Sequence, residues 1–401
     1  MRPIVFEKDS TFWYETLRLF NHIAYGGADF GEVLTTAQAI TEGDYDSWHD
    51  EWHATARRVA ADAAAADRAG HQVSARDGYL RAFNYFRSAE FFLHGNASGD
   101  PRVNAAYEDA VACFERFTEL SDTRIEPVRI PYEGTTLPGY FYTAPNAPTP
   151  GPTMIMHSGF DGGAEELHFQ PAAALVERGF HVLTFDGPGQ AGPMHREGLV
   201  FRPDWENVVS PVLDYAEARP EVDGARMGLL GLSMGGVLAP RAAAFEPRVA
   251  ALVAWNGLYD MASVAMRGLE LSREQAKALV CANVPLDAGA RLREDPTARW
   301  AVQHGMWVTG SATPREYVAA MFDYHVGDGI AERIACPTLV CDAPADFAFA
   351  GQPAELYAHL NCPKTFAEFT AEEGADAHCQ VGAARLAAAR IGDWLESTLN
   401  V

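Results

Sequence analysis

Residues 231–235 of this chain, Gly-Leu-Ser-Met-Gly, constrain its fold more than any other segment. They follow the largely apolar run 227–230 and precede a second apolar run, 237–239, which predicts a strand, a very tight turn and a helix. Such a turn needs glycine on both sides of the serine because a Cβ there would meet the crossing backbone. The serine hydroxyl then projects from the end of the strand. We therefore predict that Ser233 is a nucleophile; the alternative is a tight turn with only a structural role.

Composition and charge bound the class of protein. The chain has 401 residues, of which 48% are hydrophobic, which predicts a globular protein of two or three domains. Its net charge of −23 argues against nucleic acid and anionic membranes as partners, because both favour basic surfaces. Six scattered cysteines are typical of reduced thiols rather than of a disulfide framework. Without a signal-peptide run or a stretch of about 18 apolar residues, we expect a cytoplasmic protein.

The order of sequence patterns predicts a helical part followed by an α/β part. The first third of the chain carries apolar residues at helical spacing, as in 74–93 and 107–120. Beyond it, short β-rich runs alternate with helices, which predicts a doubly wound, mostly parallel sheet with right-handed crossovers. One helical segment interrupts this alternation and reads as a lid. The predicted divisions are a helical N-terminal domain (1–124), a first core part (125–258), a lid insertion (259–331) and a second core part (332–401).

A serine hydroxyl is a poor nucleophile unless a base removes its proton. In folds of this type the order along the chain is serine, acid, histidine, each after a strand. His378 lies in a glycine-containing loop between the last predicted strand and the last helix, so we predict that it is the base. The acid should follow the strand 338–341. We favour Asp346, which lies far enough out to reach back to His378; the alternative is Asp342, which could instead cap the strand end.

An acyl-transfer site also needs two N–H donors for the developing oxyanion. Met234, directly after the serine and at a helix N-terminus, is predicted to supply one from its backbone. The glycine-rich loop 157–163 should supply the other, with Phe160 as first choice and Asp161 as the next. The alternative for this loop is an ordinary βα turn.

Two further patterns imitate cofactor sites. Residues 187–192 match the glycine spacing of a dinucleotide-binding turn, but Pro193 follows and no apolar helix begins there. His49 and His53 have the spacing of zinc ligands, but Asp50 stands where the zinc-protease motif has glutamate. We therefore predict neither a cofactor nor a metal.

These motifs make the chain resemble the α/β-hydrolases. Further similarity lies in Gly-Phe-Asp-Gly (159–162), Asp-Gly-Pro-Gly (186–189), the histidine segment 373–379 and residues within 74–85. They are most similar to the subgroup with a helical N-terminal domain, that of 2,6-dihydroxypseudooxynicotine hydrolase and the fungal polyketide-shortening hydrolases. The resemblance implies a Ser–His–Asp triad, a site between the helical domain and the sheet, and often a homodimer. The family usually has a glycine-rich turn before its acid, whereas this chain has Ala-Pro-Ala at 343–345.

The resemblance implies hydrolysis of a carbon–carbon bond next to a ketone, or of an ester, through an acyl-serine. Aromatic residues in the helical part and the predicted lid suit an aromatic or polyketide-like small molecule. We predict Asp161, Asn84 and Tyr85 as substrate contacts. The alternatives are a lyase or cyclase that uses His378 as base without an acyl-enzyme, a peptidase or esterase of broad range, and a binding protein on the same scaffold.

Overall fold

A computed structural model describes residues 1–266, 271–282 and 296–401. The chain divides into two compact units. The first contains Met1–Glu126 and the described part of Asp287–Trp307; the second contains the described part of Pro127–Leu286 and Val308–Val401. The segment predicted as a lid, 259–331, therefore contributes to both units, and part of it lies outside the described residues.

The first unit is built from helices that pack closely. Asp9 and Asp44 each precede a helix and accept hydrogen bonds from N–H groups of its first turn, which fixes where α1 and α3 begin. A Cβ added at Gly78 would lie 2.8 Å from the Cβ of Ala63, so glycine allows α3 and α4 to approach each other. The helices are α1 (Ser10–His22), α2 (Phe30–Ala39), α3 (Tyr45–Arg68), α4 (Gln72–Glu90) and α5 (Pro101–Leu120).

An eight-stranded sheet follows, in the order β1-β2-β4-β3-β5-β6-β7-β8. β2 is antiparallel to β4, whereas the pairs from β4 through β3 to β8 are parallel. Every residue of β3, β4 and β6 is buried, as expected where helices cover both faces of a parallel sheet. The strands are β1 (Arg124–Tyr132), β2 (Thr135–Thr143), β3 (Gly151–His157), β4 (His181–Phe185), β5 (Val222–Leu232), β6 (Ala251–Trp255), β7 (Thr338–Cys341) and β8 (Lys364–Ala367).

Helices connect these strands, which gives the doubly wound α/β arrangement predicted from the sequence. They are α6 (Ala172–Glu177), α7 (Ala191–Glu197), α8 (Glu206–Glu217), α9 (Gly235–Ala243), α10 (Ser263–Met266), α11 (Arg273–Cys281), α12 (Pro296–Thr309), α13 (Pro314–Met321), α14 (Gln352–His359) and α15 (Ala384–Leu399). Short 3-10 helices occupy Ile23–Tyr25, Leu93–Asn96, Glu166–Phe169, Ala331–Arg333 and His378–Gln380. In the described parts of the chain, no helix is both long enough and apolar enough to cross a membrane.

The parallel strands end at one edge of the sheet, which is where ligands bind in open α/β sheets. β5 ends at Leu232, so Ser233 stands at this edge, and α9 begins two residues later. β6 and β7 pair with each other and end at Trp255 and Cys341. The loops that follow these three strands therefore converge.

Candidate active site

Ser233 occupies a strained turn between β5 and α9. Its φ of 61° lies in the left-handed region, which residues with a Cβ rarely adopt. The turn is held on both sides, since the N–H of Ser233 donates to the carbonyl of Trp255 (3.1 Å) and its carbonyl accepts from the N–H of Gly236 (2.7 Å). The strain is thus supported by surrounding backbone, and the side chain has a fixed direction.

The two glycines of the motif have the steric reason predicted from the sequence. A Cβ at Gly231 would lie 2.1 Å from the carbonyl oxygen of Gly235. A Cβ at Gly235 would lie 2.8 Å from the carbonyl oxygen of Ser158. Each contact is with backbone, which cannot move aside as a flexible side chain could. A side chain at either position would therefore displace the turn that carries Ser233.

The structure brings Ser233, His378 and Asp346 into one hydrogen-bonded row. Ser233 Oγ lies 2.8 Å from His378 Nε2. His378 Nδ1 lies 2.5 Å from Asp346 Oδ2. His378 is in the short helix His378–Gln380, which follows β8 and precedes α15, while Asp346 lies in the loop after β7. Both side chains are almost completely buried.

Hydrogen-bond donors surround the carboxylate of Asp346. Its Oδ1 accepts from the N–H groups of Ala348 and Phe349, both at 2.8 Å. Its Oδ2 accepts from Asn256 Nδ2 at 2.9 Å in addition to His378. Burial alone would raise the pKa of Asp346, but the charge and hydrogen bond of His378 and the hydrogen bonds from the N–H groups of Phe349 and Ala348 outweigh it and hold the pKa below its ordinary value. Asp346 therefore stays ionised.

His378 responds to its neighbours in the opposite direction. Burial lowers the pKa of His378, but Cys379 and Asp346 favour the imidazolium more strongly, so the pKa lies above its ordinary value. An imidazole in this position can accept a proton from Ser233 and remain stabilised by the adjacent carboxylate. This is the electrostatic arrangement that a general base next to serine requires.

Asp342, the alternative acid, has a different position. It directly follows β7, and its own carboxylate accepts from the N–H of Ala343 at 2.9 Å. Its backbone carbonyl accepts from Gln380 Nε2 at 2.9 Å. Burial raises the pKa of Asp342. The carboxylate that accepts from His378 Nδ1 is that of Asp346, while Asp342 occupies the end of β7.

The loop after β3 lies directly against the serine turn. A Cβ added at Gly159 would lie 2.6 Å from the nitrogen of Met234 and 2.9 Å from the Cβ of Ser233. Met234 has helical dihedrals at the start of α9, so its N–H points out of the helix N-terminus. Phe160 follows Gly159 directly, and Phe160 and Asp161 are half-buried. Gly159, next to Phe160, therefore lies against Ser233 and Met234, and the roles of Phe160 and Met234 as oxyanion donors stay predictions.

Gln190 holds this loop in place, a role that was not predicted from the sequence. Its side-chain nitrogen donates to the carbonyl of Ser158 at 2.6 Å, and its side-chain oxygen accepts from the N–H of Gly187 at 2.8 Å. The glycine-rich segment 187–192 thus serves as a support for the loop after β3. The sequence pattern that could have indicated this role is a glutamine within a Gly–Pro turn after a buried strand.

Asn84 and Tyr85, predicted as substrate contacts, have partners inside the first unit. Asn84 is fully buried on α4, donates to the carbonyl of Gly27 at 2.8 Å and lies 3.1 Å from His22 Nδ1. The Tyr85 hydroxyl donates to Glu32 at 2.8 Å and accepts from the N–H of Asp29 at 3.0 Å. Both side chains thus connect α4 to neighbouring segments. Their contact with substrate stays a prediction.

A buried group of hydrogen-bonded titratable side chains lies in the first unit. Glu90, His94 and His304 are buried, and His94 bonds to Glu90 through Nε2. His94 Nδ1 lies 2.8 Å from His304 Nδ1. The observed separation fits a hydrogen bond between the rings, while Trp307 stacks on His94 with ring centroids 4.3 Å apart.

Comparisons with known proteins identify the family of this chain. The chain matches the FrsA-like esterase family model over residues 8–262. Hydrolase LUC6 of Fusarium sp is 35% identical over 422 residues, covering 98% of this chain and 97% of LUC6. The 20-hydroxy-prefusarin hydrolase FUS2 of Gibberella moniliformis is 33% identical over 418 residues, covering 97% of each.

A solved structure extends the comparison to the fold. The 2,6-dihydroxy-pseudo-oxynicotine hydrolase superimposes with a TM-score of 0.73 over 95% of each chain, at 22% identity. This confirms the predicted α/β-hydrolase fold, and together with the family match and the fungal relatives it confirms the resemblance predicted from the motifs. The protein is accordingly an enzyme, a hydrolase of the α/β type. The chain belongs to the FrsA-like esterase family of α/β-hydrolases.

Proposed function

We propose that this protein is a serine hydrolase that cleaves a ketone-adjacent carbon–carbon bond or an ester in an aromatic or polyketide-like small molecule. The observation that carries the proposal is the row from Ser233 Oγ through His378 to Asp346, with separations of 2.8 and 2.5 Å. This is the geometry that activates a serine hydroxyl for nucleophilic attack.

In the proposed reaction, Ser233 Oγ attacks the substrate carbonyl carbon as its proton passes to His378 Nε2. Asp346 stabilises the resulting imidazolium, and the N–H groups of Met234 and Phe160 bind the oxyanion. Collapse of the intermediate breaks the bond to the leaving group, which takes the proton from His378 and leaves an acyl-serine. His378 then removes a proton from water as the water oxygen attacks the acyl carbon. Collapse of this second intermediate breaks the bond to Ser233 Oγ, which takes the proton back from His378, and a carboxylic acid is released.

Cleavage of a carbon–carbon bond places one further demand on the substrate. The leaving group departs as a carbanion equivalent, so its charge must be delocalised before His378 protonates carbon. A β-diketone or an acylated phenol meets this requirement, since the charge spreads onto an oxygen. An ester needs no such stabilisation, because its leaving oxygen accepts the proton directly.

Aromatic side chains near Ser233 and His378 support a flat, largely apolar acyl group. The Phe160 ring stacks on Tyr317 of α13, with centroids 6.2 Å apart. The rings of Phe347 and Phe349 lie 5.6 and 6.3 Å from the imidazole of His378. Phe347 is 52% exposed although it is large and apolar, which leaves its surface available to a ligand. A relative named for hydrolysis of 20-hydroxy-prefusarin also supports a small organic substrate.

Two measurements test the proposal. A fluorophosphonate should label the wild-type protein, and Ser233→Ala should abolish the label. The same substitution should lower turnover about 10⁶-fold, by analogy with other triads. A panel of aryl ketones, β-diketones, aryl esters and peptides then identifies the substrate class from the carboxylic acid released. Efficient peptide cleavage with no turnover of ketones or esters would contradict it. Turnover without a trapped acyl-enzyme would favour the lyase or cyclase alternative.

A further inference from the structure

Asn256 lies directly after β6 and has a backbone conformation that is uncommon for a residue with a side chain. Its φ is 64°, in the left-handed region, and the residue is completely buried. Asparagine tolerates this region better than most residues, yet it still carries a conformational penalty there. Such a conformation persists in a buried polar residue only where surrounding contacts stabilise it. These contacts reach all three segments that carry the row from Ser233 to Asp346.

The first contact is with the acid. Asn256 Nδ2 donates to Asp346 Oδ2 at 2.9 Å, the same oxygen that lies 2.5 Å from His378 Nδ1. The second donor fixes the direction of the carboxylate and stabilises its charge. It also makes Oδ2 a weaker acceptor for the proton on His378, so it limits how far Asp346 raises the pKa of the imidazole.

The second contact is with the loop that carries the base. Asn256 Oδ1 accepts from the N–H of Cys379 at 3.5 Å. The neighbouring Trp255 bonds through Nε1 to Gln380 Oε1 at 2.5 Å. Cys379 and Gln380 both have φ of 52°, so this loop is itself in an unfavourable conformation. The end of β6 therefore holds the loop in the form that directs His378 towards Ser233.

The third contact is with the helix that follows the nucleophile. A Cβ added at Gly236 would lie 2.5 Å from the carbonyl oxygen of Asn256, so the two backbones touch. Two residues on, the N–H of Leu258 donates to the carbonyl of Gly236 at 3.0 Å. The backbone of Asn256 is thereby fixed to the start of α9, while its side chain reaches the acid and the base.

From these contacts we propose that Asn256 is the positioning residue of the site: its amide sets the orientation of Asp346 and thereby the pKa and direction of His378. The inference rests on the proposed function, because it assigns His378 the part of general base. Loss of the amide should reduce kcat about tenfold with little change in KM, since it disturbs the proton transfer and not substrate contacts. It should also raise the pKa of His378.

The test compares Asn256→Gly with Asn256→Ala. Both variants lack the amide, but glycine also removes the conformational penalty of the positive φ. If the alanine variant fails to fold, the glycine variant still tests the role of the amide. A matched control is Asn400→Gly, which makes the same change at a positive φ (54°) on an exposed residue near the C-terminus. The readout is a proton NMR titration of His378 Nδ1–H, together with kcat and KM against pH.

We expect both Asn256 variants to raise the titration midpoint of His378 and to lower kcat, while Asn400→Gly matches the wild type. A variant that loses thermal stability but keeps the wild-type midpoint and kcat would overturn the inference and leave Asn256 a purely structural residue. The NMR midpoint needs no substrate. A shifted midpoint in the Asn256 variants, together with wild-type protein that turns over no member of the substrate panel, would refute the proposed function. Catalysis by the wild type, together with an unshifted midpoint in the variants, would refute the role of Asn256.

Discussion

Replacing Asp346 by asparagine is the perturbation for which the structure gives the most definite consequence. Four donors surround this carboxylate: the N–H groups of Ala348 and Phe349, the amide of Asn256, and His378 Nδ1. Asparagine has one acceptor oxygen and one NH₂ donor. The two backbone N–H groups are fixed, so the new oxygen should take the place of Oδ1 and the NH₂ group should face His378.

That arrangement changes the tautomer of the base. Nδ1 of His378 would accept from the new NH₂ group, which places the remaining proton on Nε2, opposite Ser233 Oγ. A protonated Nε2 cannot take the serine proton, so we expect kcat to fall about 10⁴-fold. This corresponds to about 5 kcal/mol of transition-state free energy. Binding should change little, because the rings near the site are untouched.

The assay is steady-state turnover of the substrate found in the panel, with the rate of fluorophosphonate labelling as a second measure. Asp342→Asn is the matched control, since that carboxylate accepts from the N–H of Ala343. An asparagine oxygen can accept the same bond, so its turnover should stay near that of the wild type. Loss of activity in Asp342→Asn with none in Asp346→Asn would show that the acid has been assigned wrongly.

Three further outcomes follow from other contacts of the described residues. The pKa of His378 is raised above 6.5, and only its neutral form is a base, so kcat/KM should rise with pH through a midpoint above 6.5; Asp346→Asn should move it to lower pH. Gln190→Met should lower kcat about tenfold in steady-state assays, since Ser158 loses its donor. Tyr85→Phe should lower the denaturant-measured free energy of unfolding by about 1–2 kcal/mol, because the N–H of Asp29 loses its acceptor; a fall in kcat without that loss would support substrate contact.

The sequence predicted the parts of the site that depend on local pattern and chain order. An apolar strand, a glycine-flanked serine and an apolar helix identify the turn at Ser233 because each signal is local. Parallel strands end at one edge, so residues after β7 and β8 had to approach that serine, which favoured Asp346 and His378. Their hydrogen bonds span 32 and 145 positions, but the topology makes those distances short.

The sequence could not predict residues whose function comes from one distant contact. Asn256 and Gln190 have amide side chains of a type common in turns, and their partners lie 90 and 32 positions away. Whether Asn84 and Tyr85 contact substrate could not be decided from the sequence for a related reason. Helical periodicity places a residue on a face of α4, but it does not say whether that face meets substrate or other helices. The division of residues 259–331 between the two compact units likewise depends on contacts with residues distant in the sequence.

The site therefore has a fixed part and an adaptable part. Each member of the row from Ser233 to Asp346 is held by backbone groups or buried amides, so its geometry and protonation are set before a substrate arrives. The nearby aromatic rings form the other part. Phe160, Tyr317 and Phe347 meet their neighbours through ring contacts. In the proposed reaction, exchanging a ring would alter the shape presented to the acyl group without disturbing proton transfer, so substrate preference could change while the reaction stayed the same.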